Sequence, residues 1–114
     1  MAYEHQPYIR LHLIEKAEPI AASWGVSEVS RSPRGFLSAY KLTSGNPYAM
    51  GRDQFTGRMW EELRMNFIRR HMSQAKKKKE RMWKGGNPSR RHLSLIMWAY
   101  TPTPAKTAAW LHAI

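Results

Sequence analysis

The sequence predicts an all-α fold, a single domain of four to five helices. Three observations predict it: a long apolar stripe at helical spacing, helix-starting residues ahead of several apolar runs, and Gly and Pro clusters that separate those runs. At 114 residues the chain suits one domain, and a hydrophobic share of 42% suits a packed core.

The elements follow in order. Residues 8–14 alternate apolar and polar at Ile9, Leu11 and Leu13, as a strand would. The same segment suits a short helix that Lys16-Ala17 would continue, so both readings stand. Pro19 fits a first helical position and Gly25 a helix end, which predicts one or two turns over 19–24. Ser32 as cap, Pro33 at the first position and Phe36, Leu37 and Tyr40 at helical spacing predict a helix over 33–44. Gly45 is placed to close it in the left-handed conformation, and Asn46-Pro47-Tyr48 reads as a turn.

The strongest pattern is a long basic amphipathic helix over about 56–82. Trp60, Leu63, Phe67 and then His71 or Met72 make its stripe. Glu61 and Glu62 near its start and lysines near its end complement the helix dipole. Gly85-Gly86-Asn87-Pro88 reads as a tight turn ending it. Asn87 or Ser89 can cap a second helix from Arg90 to about Tyr100, with Leu93, Ile96, Met97 and Tyr100 facing the core. After Thr101-Pro102, Thr103 and Pro104 open a closing helix through Trp110 and Leu111.

Charge distribution gives the functional signal. Nineteen Lys and Arg stand against eight Asp and Glu, a net charge of +11. Residues 1–57 hold six basic and five acidic side chains, whereas 58–92 hold twelve basic and three acidic ones. An evenly solvated surface would spread the excess; a polyanion-binding face concentrates it. The expected nucleic-acid contacts are Arg64, Arg69, Arg70, Lys76, Lys77, Lys78, Lys79, Arg81, Lys84, Arg90 and Arg91, with Trp83 as a stacking or partner-facing aromatic.

The 58–92 region is helix-turn-helix-like, yet Leu93 to Trp98 is too apolar for a helix that reads bases throughout. Only Arg90, Arg91, His92 and Ser94 are positioned to reach outward, which favours contacts to the phosphate backbone of DNA or RNA over base reading. The rival partners for the same face are an acidic protein surface, as for a phage-type inhibitor, or neighbours in a nucleoprotein assembly. In composition the chain resembles small basic phage-encoded accessory proteins and ribosome-associated proteins, with no family motif.

Other classes find little support. The five histidines form no i, i+4 pair beside carboxylates, so no metal site and no cofactor are expected. Glu61 and Glu62 are adjacent and diverge around a helix, and no phosphate loop or nucleophile elbow occurs, so no enzyme is expected. With no cysteine the chain has no disulfides, which suits a reducing compartment. The first residues lack a signal-peptide pattern and Leu95 to Tyr100 is the longest apolar run, so the expectation is a cytoplasmic protein without a membrane span.

Overall fold

The computed structural model describes residues 7–26 and 35–114. Among these the fold is mostly helical: α1 (Leu11–Ser23), α2 (Phe36–Leu42), α3 (Trp60–Lys78), α4 (Arg90–Ile96) and α5 (Pro104–Ala113). A 3-10 turn covers Pro47–Ala49, and strands β1 (Trp83–Lys84) and β2 (Asn87–Pro88) form a hairpin between α3 and α4.

The segment that fitted either a strand or a helix is helical, and it runs straight through Pro19 rather than restarting there. Burial decides this. Leu13, Ile14, Ala17 and Ala21 recur every three or four residues and are all buried, so the helical face outweighs the one hydrogen bond that proline forfeits. In α2, Phe36, Leu37 and Tyr40 are buried as the spacing predicts. The predicted start of that helix at Ser32-Pro33 lies outside the described residues. Gly45 has φ +79°, and a Cβ there would come within 3.0 Å of Leu11 Cβ, so both backbone shape and space call for glycine.

Helix α3 is shorter than the predicted 56–82 at both ends. Before it, Asp53 accepts bonds from the Thr56 amide (3.1 Å) and hydroxyl (2.8 Å), and the Trp60 amide bonds to Gly51 O at 2.9 Å. These local bonds hold 53–57 in a turn. At the far end Lys79 adopts the left-handed conformation (φ 54°, ψ 39°), and the Glu80 amide folds back onto Ala75 O at 2.9 Å. Met82 lies beyond that stop, and its carbonyl accepts from the Ser89 amide (2.7 Å) and faces the His92 ring (3.0 Å).

The glycine pair is therefore the tip of a β-hairpin rather than the end of a long helix. Gly85 (φ +58°) and Gly86 (φ +81°) supply the two positive φ angles that a two-residue hairpin turn needs. Ser89 caps α4 by accepting from the His92 amide at 3.1 Å. That helix stops at Ile96, short of Tyr100, because Ala99 turns left-handed (φ 61°) and the Tyr100 amide bonds back to Leu95 O.

Helix α1 packs on α4 and α5, and α3 packs on α4. The main core joins Ile14, Phe36, Leu37, Tyr40, Leu93, Met97 and Leu111; a smaller one holds Ile68, Leu95 and Tyr100. Trp98 bridges them, stacked between Phe36 (5.0 Å) and Phe67 (4.5 Å). The radius of gyration, 13.3 Å, is that of a small compact domain. No helix among the described residues is long and apolar enough to cross a membrane.

Candidate nucleic-acid interface

The face of α3 that turns inward is set by Trp60, Arg64, Ile68 and Ala75, all buried. At about 100° per residue this arc leaves Arg69, Arg70, Ser73, Lys76 and Lys77 on the opposite side, and all five are exposed. Arg69 and Lys76 are seven residues apart, as are Arg70 and Lys77. Each pair is thus spaced by about 10 Å along the axis at 1.5 Å per residue. Lys78 ends the helix and Lys79 caps it, and Arg81, Lys84 and Arg90 continue the charge through the loop, hairpin and start of α4; all are exposed.

Three ion pairs form among the described residues: Lys41–Glu18, Arg58–Glu62 and Arg91–Glu80. Glu80 is the one acid between Glu62 and the C-terminus, and Arg91 occupies it. Arg69, Arg70, Lys76, Lys77, Lys78, Lys79, Arg81, Lys84 and Arg90 therefore enter no ion pair among the described residues.

Two expected cationic contacts belong to the scaffold instead. Arg64 is 1% exposed. Its Nε donates to Trp98 O (2.8 Å), its Nη2 to Ala99 O (2.8 Å) and Pro7 O (3.3 Å), and its guanidinium lies 3.7 Å over the Tyr8 ring. Burial lowers its pKa from the usual value, with the nearby tyrosines opposing; arginine still keeps its charge at neutral pH. Sequence reasoning missed this because it read the stripe through Leu63 and Phe67, one residue from its true centre. Arg64 lies four residues from both Trp60 and Ile68, and that spacing was the available signal.

Arg91 is the second. Beyond Glu80 it donates to Gln74 Oε1 at 2.9 Å and meets His71 Nδ1 at 2.9 Å. It latches the end of α3 to α4. His71 accepts that bond as a neutral ring, and its pKa is lowered by burial first and then by Arg91 and Arg70.

Trp83, expected as a stacking or partner-facing aromatic, is half-buried and engaged. Its Nε1 donates to Thr103 Oγ1 at 3.1 Å, its ring meets His92 edge-on at 5.0 Å, and Lys106 Nζ sits 4.7 Å from its centroid. His92, expected to reach outward, is fully buried. Its Nδ1 faces Met82 O at 3.0 Å and its Nε2 faces Thr101 Oγ1 at 2.7 Å, an arrangement that a neutral ring satisfies by donating to the carbonyl and accepting from the hydroxyl. Burial lowers its pKa, partly offset by the Met82 carbonyl.

A pH dependence follows from these two histidines. Their folded pKa values lie below the ordinary 6.5, so the unfolded chain takes up protons first as the pH drops. The stability they contribute is complete above about pH 6.5 and is lost as the pH falls from there toward their folded values. Urea midpoints should be level from pH 8 to 7 and decline between 6.5 and 5, with His92 contributing at most about 1.4 kcal/mol per pH unit. Constant midpoints down to pH 5 would contradict the neutral, buried state of His92.

Among the described residues no three His, Asp or Glu side chains gather into a set that could hold a metal ion. Comparison with protein-family models, with curated proteins and with solved structures finds no match to this chain.

Proposed function

We propose that this chain is a non-enzymatic nucleic-acid-binding protein whose ligand lies along the exposed cationic strip from Arg69 to Arg90. The observation that carries this reading is the run of nine exposed cations that enter no ion pair among the described residues, beside a single acid already held by Arg91. A protein stabilised by its own surface charges would pair them. Cations left at fixed positions on a helix and hairpin suit counterion replacement on a phosphate backbone. Binding without chemistry is supported by His92, whose two ring nitrogens both face internal partners, while His71 gives its Nδ1 to Arg91.

The contacts are read as phosphate contacts, because the outward residues of α4 reduce to Arg90 and a half-buried Ser94. Titration of a labelled nucleic acid at several salt concentrations tests this. Log affinity should fall linearly with log salt, with a slope of roughly −3 to −6 for about four to seven phosphates neutralised. A flat response, or no binding at low salt, would instead favour an acidic protein partner.

A further inference from the structure

Resting on that reading, we infer that the strip's ligand is a duplex rather than a single strand. Proteins that hold single strands pair a cationic groove with aromatic faces on which successive bases stack. Here the aromatics nearest the charge are half-buried and engaged by neighbouring side chains. Phe67 stacks on Trp98 at 4.5 Å and meets His71 at 4.2 Å, with the Arg70 guanidinium 5.7 Å from its centroid. Trp83 gives its indole N–H to Thr103 and its ring to His92, Trp110 and Lys106.

Two of the three aromatics exposed among the described residues lie at the far end of α3 from the lysines. Tyr48 lines a cleft with Met59 and Glu61, and Phe55 one with Trp60, so both sit by the first turn of α3. The lysines sit at the other end, about 24 Å away along a 19-residue helix whose first turn and last residues are at its two ends. Trp24 follows the last residue of α1. Residues 69–90 thus carry no exposed aromatic, Trp83 being half-buried.

It is also rigid. Arg91 ties α3 to α4, and the His92 ring ties the loop at Met82 to Thr101 before α5. Cations held at set intervals complement a polyanion whose phosphates are themselves at set positions, as in a duplex with one charge per about 1.7 Å of axis. A flexible single strand would gain less from such fixed charges and finds no stacking partner.

The test is fluorescence anisotropy on the full chain with three labelled probes: a 20-base-pair DNA duplex, an RNA duplex of that length, and the single DNA strand alone. At moderate salt one or both duplexes should bind about tenfold or more tightly than the single strand, whose lower charge density and missing stacking work together. A single strand that binds as tightly as both duplexes, or more so, overturns the duplex inference and leaves the nucleic-acid reading standing. No binding by any probe at low salt overturns that reading as well.

Discussion

Replacing Arg64 with Met should destabilise the protein by about 3–5 kcal/mol, the cost of stranding buried partners of a charged group. Methionine matches the length of the arginine stem but donates nothing to Trp98 O, Ala99 O and Pro7 O. Two of those carbonyls follow the end of α4, where a positive group also suits the local dipole. A loss of this size lowers the melting temperature by roughly 10–20 °C in a domain of this length. Arg64→Lys should fall between the two, since one ammonium replaces a planar fork and loses the fit over the Tyr8 ring. The folded Arg64→Lys protein should also keep the parent's salt slope in nucleic-acid binding. A parental melting temperature for Arg64→Met, or a slope reduced by Arg64→Lys, would return Arg64 to the binding face.

The complementary experiment removes charge and spares the core. Lys76, Lys77, Lys78 and Lys79 are all exposed, and glutamine has nearly the same helix propensity as lysine. The fourfold Lys→Gln protein should keep its helicity while its affinity falls on the order of 10- to 100-fold at moderate salt, and the salt slope should shrink by up to about 0.9 per lysine that touches a duplex phosphate. Unchanged affinity and slope would remove the lysine run from the interface. Arg90 is the clean probe beyond the hairpin, whereas substituting Arg91 would also break its bonds to Glu80 and Gln74.

Much of the scaffold was legible because single residues marked it. Gly45, Ser89 and Pro104 each have the cap or turn role that their chemistry suggests, and Phe36, Leu37, Tyr40, Leu93, Ile96, Met97 and Tyr100 are buried as predicted. The misses share a cause, which is contact across long stretches of chain. Periodicity alone could not place Arg64 inside, because what holds it are carbonyls 34 to 57 residues away. His92 reads as outward in the sequence because Met82 and Thr101, which close around it, lie ten and nine residues away. The apolar and charged pattern extends α3 to Met82 because lysine seldom takes the left-handed conformation that Lys79 adopts where the helix stops, with the Glu80 amide folded back onto Ala75 O.

That stop changes what four consecutive lysines amount to. Along a continuing helix, neighbours point about 100° apart, so Lys76, Lys77 and Lys78 already splay around the axis. Lys79 then breaks the sweep, because its left-handed backbone (φ 54°) redirects the chain. A block in sequence is a fan in space. A single flat surface can meet only part of a fan at once, so the four charges are unequal: a ligand laid along the strip would meet some of them and leave the others facing solvent.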